Sequence, residues 1–500
     1  MRRGLLLLVV LVAAALAPAA AHAASFGFGP PVFVDKTLGG GEPTVAYAVK
    51  SGRLVYTSHE GTTHLFSSNL PGAPAESGGW LGTYHNQVNI WTSADQGQTW
   101  QVVPFGTKTN PMATGFSDPD LTQDDAGNIY NTGIDLANDA LFSSQDGGLS
   151  WPTGTAQCHE GDRPWLAGGK ANEVFLSTDT EESGHVIYHS TDAGASCNQT
   201  GIPDNGTAAN GDSYTGDGKL FYDHTRGSVV EPVIYRDPNT GLPNGVGVGI
   251  LPSASSAFGT SAGAFSTVRI ANTTEYSHWP SMAIDAAGNY YLVWDTDPRD
   301  PNTQNGCPGS YPGSESFGTL PPQNANTPLA NQVMMASSTD GGHTWSPPQV
   351  VASSPGHQLL WPWVTAGAAG QVGVVWYQYD RVVDPDCAPA DAKVSVMAEQ
   401  ISGATGSMPV SSVVDAAGRP IHSGAICAGG TTCAVTVGVT GEDRRLGDYF
   451  TVGTDRNGCL LIATGDTTLN DSVTGQPSPI SHPVFLRQNS GTSLTGVPCL

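Results

Sequence analysis

Charged and aromatic residues recur directly before proline along this chain. In chain order the recurrent residues are Glu42, Asp118, Arg163, Trp279, Trp361 and, in a last repeat that lacks the proline, Asp448. Two carboxylates can act as acid and base in the cleavage of a glycosidic bond, tryptophan can stack on sugar rings, and arginine can hold hydroxyls or a carboxylate. These residue types predict a carbohydrate site, provided that the fold brings the recurrent position to one place.

Each of these residues opens a similar unit of sequence. Each unit contains two β-rich segments joined by a turn, such as the turns at 124–128 and 285–289. An acidic residue then comes 15–18 residues after the proline or its equivalent. In the first unit that acid is Glu60, with His59 beside it. The unit predicts two antiparallel strands that bring the pre-proline residue and the later acid to the same end of a sheet.

A second repeat, Ser-x-Asp-x-Gly-x-Ser/Thr-Trp, occurs at 93–100, 144–151, 190–197 and 338–345, and the third copy ends in Cys197 instead of Trp. Asp can accept backbone N–H bonds across a turn, Gly supplies a positive φ, and Trp packs beside it. Asp95 and Asp146 are 51 residues apart, and a period of about 50 residues with four strands is typical of propellers. The sequence therefore predicts an all-β fold, a β-propeller of four-stranded blades. Seven blades are favoured and six are the alternative, and a strand at 31–34 is expected to complete the last blade.

Propeller geometry places the start of each first strand and the end of each second strand around one opening. At this mouth we predict Asp118 as the catalytic acid/base, with Glu42 or Glu60 as its partner, because a second carboxylate at Asp120 can raise the pKa of Asp118. The predicted substrate-binding residues are Arg163, His278, Trp279, Trp361, Arg445 and Asp448. Two structural alternatives stay open. The acids after the second strands are common turn residues, and Trp361 could fill space between blades.

The four Ser-x-Asp-x-Gly repeats resemble the Asp-box, or bacterial neuraminidase (BNR), repeats of sialidase-like secreted propellers. The resemblance covers most of the chain, and it implies that the boxes are structural turns facing away from the active site. Active sialidases in that superfamily carry an Arg-Ile-Pro motif in the first blade. Here Gly41-Glu42-Pro43 stands at that place, so the first substrate-binding arginine is missing, and the acid in the neighbouring position would repel a sialic acid carboxylate. The resemblance implies a sialidase-like, glycan-active protein whose substrate is not a plain terminal sialic acid.

The composition of the chain limits where the protein can be located and what it can bind. Arg2 and Arg3 followed by an apolar run predict a secretory signal peptide over residues 1–23, and residues 24–500 are expected to form a single propeller domain. With 20 Lys+Arg against 44 Asp+Glu the formal charge is -24, which argues against nucleic acid and anionic membranes as partners. We expect a monomer with no membrane span, located outside the cell. The eight cysteines predict disulfides between neighbours: Cys158–Cys197, Cys307–Cys387, Cys427–Cys433 and Cys459–Cys499.

Two functions from different classes remain open at this point. The first is a secreted glycoside hydrolase or polysaccharide lyase that acts on an extracellular glycan or cell-surface glycoconjugate with the mouth carboxylates. The second is a non-catalytic propeller that binds a glycan or protein at the cell surface. No cofactor is required for either function. A ring of acids could hold Ca²⁺, although Asp295, Asp297 and Asp300 lack the EF-hand spacing because Arg299 takes the third ligand position.

Overall fold

The computed structural model describes the following residues: 26–59, 88–104, 117–135, 138–155, 158, 161–180, 184–241, 243–259, 265–273, 279–296, 331–353, 355–383, 385, 388–426, 443–470, 475–478 and 480–500. Strands account for most of them. The first half contains β1 (Gly27–Phe28), β2 (Val32–Phe33), β3 (Thr44–Ala48), β4 (Arg53–Ser58), β5 (Asn89–Ser93), β6 (Gln101–Val102), β7 (Leu121–Gln123), β8 (Ile129–Asp135), β9 (Asn138–Ser144), β10 (Thr153–Thr155), β11 (Asp162–Gly168), β12 (Val174–Thr180), β13 (Gly184–Ser190), β14 (Asn198–Pro203), β15 (Gly206–Thr207), β16 (Ser213–Gly216), β17 (Phe221–Asp223), β18 (Ser228–Arg236) and β19 (Pro243–Leu251).

The second half contains β20 (Ser266–Ala271), β21 (Ser281–Ile284), β22 (Tyr290–Asp295), β23 (Gln332–Ser338), β24 (Gln349–Ser353), β25 (Leu359–Ala366), β26 (Gln371–Tyr379), β27 (Lys393–Ser402), β28 (Val410–Asp415), β29 (His422–Ser423), β30 (Thr451–Thr454), β31 (Leu460–Asp466) and β32 (His482–Ser490). Within the described ranges the only helix is the single turn α1 (Ala254–Ala257). No described helix is long and apolar enough to span a bilayer.

These strands form seven antiparallel sheets, which are the blades of a propeller. Blades 1 to 3 are β3–β6, β7–β10 and β11–β14; blade 4 is the larger sheet β15–β20; blades 5 and 6 are β21–β24 and β25–β29; blade 7 combines β30–β32 with β1 and β2. The innermost strands touch in a closed ring that runs β3, β7, β11, β17, β21, β25, β30 and back to β3. The prediction of an all-β propeller with seven blades is therefore confirmed, and the six-bladed alternative is wrong.

The ends of the described chain meet in blade 7. Strand β2 pairs with β32, with Val32 opposite Phe485 and Phe33 opposite Val484, and β1 pairs with the far end of β32. The expected N-terminal strand therefore completes the last blade. This pairing closes the ring and protects the edge of β32, which would otherwise offer unpaired backbone groups.

The Ser-x-Asp-x-Gly repeats form the turns between the third and fourth strands of blades 1, 2, 3 and 5. In blade 2, Asp146 accepts the backbone N–H groups of Leu149 (3.1 Å) and Ser150 (3.0 Å) and the hydroxyl of Ser144 (2.7 Å). Because consecutive strands of a blade alternate in direction, these turns lie on the propeller face opposite the mouth. The repeats form turns, as expected, and their purely structural role stays a prediction.

The glycine of each repeat also sets how neighbouring blades pack. Gly148 of blade 2 has φ +90°, and a Cβ atom there would overlap the side chain of Val55 in blade 1. Gly97 of blade 1 meets the ring of Phe485 in blade 7 in the same way. Gly97 and Gly148 are therefore needed for two reasons, the backbone conformation of the turn and its close approach to the preceding blade, whereas a Cβ at Gly194 would make only ordinary contacts.

Two of the four predicted disulfides lie among the described residues, and both form as predicted. Cys158 bonds to Cys197, where the third repeat has cysteine in place of tryptophan, and Cys459 bonds to Cys499 at the end of the chain. Cys307, Cys387, Cys427 and Cys433 lie outside the described residues, as do residues 1–23.

Candidate functional site

Four of the recurrent pre-proline residues share an unusual backbone conformation. The φ angles of Glu42, Asp118, Arg163 and Trp361 are +50°, +53°, +57° and +54°. Positive φ costs a non-glycine residue on the order of 1–3 kcal/mol, and such strain is typically kept at functional positions. The sequence repeat is thus a structural repeat at the start of the innermost strand of blades 1, 2, 3 and 6.

Glu42, His59 and Asp118 form a compact cluster between blades 1 and 2. One ligand-type atom of each residue lies within 4.8 Å of those of the other two. His59 Nε2 contacts Glu42 Oε2, and the Ser117 hydroxyl lies 2.5 Å from Asp118 Oδ1 and 3.5 Å from His59 Nε2. Glu42 and His59 are each 1% exposed, whereas Asp118 is only partly buried. Asp118 is therefore the member of the cluster that a bound molecule can reach.

Arg444 joins this cluster from blade 7. Its guanidinium binds both carboxylate oxygens of Asp448, and Nη2 lies 3.9 Å from Glu42 Oε1. The backbone N–H of Asp448 donates to Glu42 Oε1 at 2.9 Å. Glu42 therefore connects blades 1 and 7, and its carboxylate is held from two sides before any ligand binds.

Burial raises the pKa of both acids in the cluster. The pKa of Glu42 rises from 4.5 to about 8 through burial and the neighbouring charge of Asp448, with Arg444 acting in the opposite direction. The pKa of Asp118 is well above its usual value through burial, followed by the charges of Glu42 and Asp162, with His59 opposing. A carboxyl that keeps its proton near neutral pH can act as a general acid.

The expected reason for the raised pKa of Asp118 is wrong. Asp120 is not among the main causes of the shift at Asp118, and its carboxylate instead lies against Lys219 Nζ and accepts the backbone N–H of Leu166 at 2.9 Å. The positive φ of Asp118 takes it out of the regular strand conformation, so residues two apart do not share a face here. The like charge comes instead from Glu42 in the adjacent blade.

Asp139 is an acid of this region that sequence reasoning missed. It lies at the start of β9, is 1% exposed, and neither of its carboxylate oxygens has a hydrogen-bond partner. Burial raises its pKa well above the usual range, and the charges of Asp162 and Asp118 add to the effect. The unit pattern pointed to Asp135, which ends β8. The only feature of the sequence that pointed to Asp139 was its position in the β8–β9 hairpin, close to Asp135.

Arg163 and Trp279 lie together on the other side of the mouth. The Arg163 guanidinium is 5.4 Å from the centre of the Trp279 ring, and its Nη1 is 3.8 Å from Asp217 Oδ1. About a third of the Arg163 side chain (32%) remains exposed. Among the predicted binding residues it is the cation that a ligand can contact.

Aromatic rings fill the propeller axis beneath these polar groups. Trp165 packs against Trp279 (5.6 Å between ring centres), Trp363 (5.7 Å) and Tyr449 (5.0 Å). Trp279 is only 6% exposed, and Trp361 is 3% exposed with its ring against Tyr377. Both rings therefore offer little surface to a sugar in this conformation, and their stacking role stays a prediction.

The remaining predicted residues are spread more widely. Arg445 turns away from Arg444, pairs with Asp443 and donates to the backbone oxygen of Ser478 at 2.8 Å. Glu60 and His278 lie outside the described residues. Several acids after second strands have ordinary local partners, as Asp237 does in accepting the N–H groups of Asn239 (2.8 Å) and Thr240 (3.1 Å).

The mouth offers little support for a cation. Glu42, His59 and Asp118 have ligand-type atoms close enough for a metal, but Arg444 already supplies positive charge beside them. Asp297 and Asp300 of the acidic stretch considered for Ca²⁺ lie outside the described residues. Without a metal, Glu42, His59 and Asp118 can donate and accept protons, because their ligand-type atoms lie within 4.8 Å of one another.

No protein-family model matches this chain, and no curated protein sequence matches it. Similar solved structures include an ulvan lyase from a new polysaccharide lyase family (11% identity, 87% of this chain and 93% of that chain, TM-score 0.46). They also include an α-L-arabinofuranosidase from Fusarium graminearum (12% identity, 93% and 97%, TM-score 0.40) and the endosialidase of phage phi92 (11% identity, 93% and 69%, TM-score 0.42). These proteins have three different activities, so the likeness assigns none of them to this chain.

Proposed function

We propose that the protein is an extracellular enzyme that acts on a glycan, with Asp118 as its general acid/base. The observation that carries this proposal is the state of Asp118: a partly exposed carboxyl on a strained backbone, within 4.8 Å of a buried glutamate and histidine, with a raised pKa. A carboxyl at a mouth that a ligand can reach, with its proton retained, is what protonation of a glycosidic oxygen requires.

Glu42, His59 and Asp118 have different roles in the proposed reaction. Asp118 transfers the proton because it alone is partly exposed, and Glu42 and His59 set its pKa and orientation from below. Glu42 is a positioning residue rather than a nucleophile, because it is 1% exposed and is held by His59 and the Asp448 backbone. Arg163 holds a hydroxyl of the substrate, because it keeps 32% of its side chain exposed beside Trp279.

The charge around the mouth favours a neutral sugar. Glu42, Asp118, Asp139, Asp162 and Asp448 supply carboxyl groups there, while Arg444 is already paired with Asp448. In the described part of the mouth Arg163 lies beside Asp217 and Arg445 binds Asp443, so no unengaged arginine pair is available for a sialic acid carboxylate. The sialidase-like resemblance therefore describes the architecture, and the proposed substrate is a neutral glycan rather than a terminal sialic acid.

The proposed extracellular location rests on chemistry within the fold. The bonds Cys158–Cys197 and Cys459–Cys499 need an oxidising compartment. The closed ring with its protected edges supports a monomer. Calcium is not part of the proposed mechanism, and its addition is one arm of the assay.

The test is a panel of neutral, sialylated and uronate-containing glycans, assayed for new reducing ends and for the unsaturated product of a lyase. Wild type is compared with Asp118→Asn and with Asp125→Asn, an isosteric change of an exposed acid in the β7–β8 turn on the opposite face. We expect turnover of a neutral glycan that falls at least about 100-fold in Asp118→Asn and is unchanged in Asp125→Asn. Binding without turnover, equal in both variants, would favour a non-catalytic binding propeller.

A further inference from the structure

A second cluster of titratable side chains lies between blades 3 and 4, on the side of the mouth where Arg163 and Asp217 lie. His185 begins β13, Asp204 follows β14, and Glu231 lies in β18. All three are buried, with exposures of 2%, 1% and 0%, and one ligand-type atom of each lies within 4.8 Å of those of the other two. The proposed function does not use these residues.

Glu231 Oε1 contacts His185 Nε2 at 3.0 Å, but the other three carboxylate oxygens of Asp204 and Glu231 have no such donor. Both oxygens of Asp204 and Oε2 of Glu231 are buried and have no hydrogen-bond partner. A buried charged oxygen left without a donor costs more than about 1–3 kcal/mol, and native proteins satisfy most such groups. The two arginines nearby, Arg163 and Arg236, pair with Asp217 instead. The three buried oxygens therefore lack a donor or a cation that would offset their charge.

The histidine is oriented as a metal ligand is oriented. Its Nδ1 lies 2.7 Å from Asp179 Oδ1, so a neutral ring held by this bond carries its proton on Nδ1. In the metal-free protein Nε2 binds Glu231 Oε1 (3.0 Å) and faces Asp204 Oδ2 (4.0 Å), so a bound cation would take the place of the Nε2 proton. A carboxylate that binds the far nitrogen of a ligating histidine is the usual outer-shell partner in metalloproteins.

The spacing suits a small cation. Ligands with bonds of about 2 Å to a tetrahedral ion lie about 3.3 Å from one another, and the two distances from Nε2 bracket that value. Gly216, at the end of β16, leaves room beside the two carboxylates, because a Cβ atom there would overlap Asp204 Oδ2 and approach Glu231 Oε2. One imidazole and two carboxylates match a first-row divalent ion better than Ca²⁺, which takes six to eight oxygens.

We propose that His185, Asp204 and Glu231 bind a divalent first-row transition ion, such as Zn²⁺, with Asp179 orienting the histidine. The ion joins blade 3 to blade 4, because His185 and Asp204 belong to the former and Glu231 to the latter. Because all three ligands are buried and none belongs to the proposed acid/base cluster, we assign the ion a structural role, with water completing a four-coordinate shell. This proposal stands or falls independently of the activity at the mouth.

The test uses the full chain without an affinity tag, stripped with a chelator and dialysed against ZnCl₂. We expect one zinc per wild-type chain by elemental analysis and a rise of several degrees in the unfolding temperature. Glu231→Gln and Asp204→Asn, which keep side-chain size, should bind zinc at least tenfold more weakly and lose the rise. The matched control is Glu173→Gln, which alters another buried pair of the same blade, Glu173–His189 at 2.8 Å, for which the described residues supply no third ligand.

Three results would overturn the proposal. One is a wild-type chain that takes up no zinc, and another is a Glu231→Gln chain that binds zinc as wild type does. The third is calcium producing the same stabilisation and losing it in Glu231→Gln. Should neither isosteric variant fold, X-ray absorption at the zinc edge of wild type decides the matter. The expected shell has one imidazole with oxygens, and a shell with sulfur or several imidazoles would contradict it.

Discussion

Glu42 and Asp118 come from neighbouring blades, and their carboxyl groups approach within 4.8 Å with His59 beside them. Both pKa values are raised; the charge of Glu42 contributes to the rise at Asp118, whereas a hydrogen bond with Asp118 favours the ionised form of Glu42. Two interacting acids lose their protons as a pair, in steps that belong to the pair. Because Glu42 and Asp118 ionise as a pair, the site is probed most directly by measuring how activity and stability depend on pH.

The first prediction concerns the alkaline limb of the activity profile. If protonated Asp118 is the acid, kcat/KM falls as Asp118 ionises at high pH. Glu42→Gln removes the largest charge effect on Asp118, so the alkaline limb should move to lower pH by roughly one unit. The pH profile of kcat/KM on the active glycan measures this shift. Asp125→Asn is the control, and a limb that stays in place or moves upward in Glu42→Gln would contradict the assignment.

The second prediction concerns stability at the same residue. The pKa of Glu42 is raised from 4.5 to about 8, so the folded state holds this proton more tightly than the unfolded state. The resulting stability is fully present below about pH 4.5 and is lost as the pH rises towards 8. Glu42→Gln cannot titrate. Between pH 5 and 8 the unfolding free energy of wild type should therefore decline relative to that of the variant in urea denaturation. Parallel pH curves would show that Glu42 ionises normally in the fold.

The fold was predictable because its determinants are local and repeated. Asp146 and Gly148 specify a turn within a few residues, and the same turn recurs in four blades, so spacing alone revealed the ring. The closing strand at Val32 followed from the same count, since a ring needs its last blade completed.

The site was only partly predictable because side-chain direction depends on the backbone. Arg444 and Arg445 are adjacent, yet Arg444 binds Asp448 while Arg445 binds Asp443, and no periodicity distinguishes them. Asp120 pairs with Lys219, which is distant in sequence. The cluster of His185, Asp204 and Glu231 draws on two blades, and none of the three stands at a recurrent position.

The third prediction tests the repeat turns. Asp146→Ala removes the acceptor for Leu149, Ser150 and Ser144 and should lower the unfolding free energy by about 2 kcal/mol. Activity should persist at temperatures where the variant is folded, because the turn lies on the face opposite Asp118. Gln145→Ala, an exposed change in the same turn, is the control for thermal melts and assays. Loss of activity in folded Asp146→Ala would place the site on the other face.

The fourth prediction concerns the disulfide between Cys459 and Cys499, which closes 40 residues of blade 7 and the chain end. Replacing both cysteines with serine should lower the unfolding free energy by about 3–4 kcal/mol, because the unfolded chain gains the entropy of an open loop. Denaturant unfolding with and without reductant measures the effect. In the double variant, reductant should act only through the remaining disulfides. An unchanged stability of the double variant would show that the Cys459–Cys499 bond makes no net contribution to the unfolding free energy.

The fifth prediction separates the two demands on the repeat glycine. Gly148 and Gly403 have φ angles of +90° and +70°, but a Cβ at Gly148 overlaps Val55, whereas Gly403 has no atom within 4 Å of that position. Gly403→Ala should therefore cost only the left-handed conformation, about 1–2 kcal/mol. Gly148→Ala should cost a further 1–3 kcal/mol or so, because blades 1 and 2 must move apart. Denaturant unfolding of both variants gives the difference. The double variant Gly148→Ala with Val55→Ala provides the internal check, since making room at residue 55 should recover part of the packing term and none of the backbone term. Equal losses in Gly148→Ala and Gly403→Ala would show that the turn conformation alone, and not its contact with the preceding blade, requires glycine.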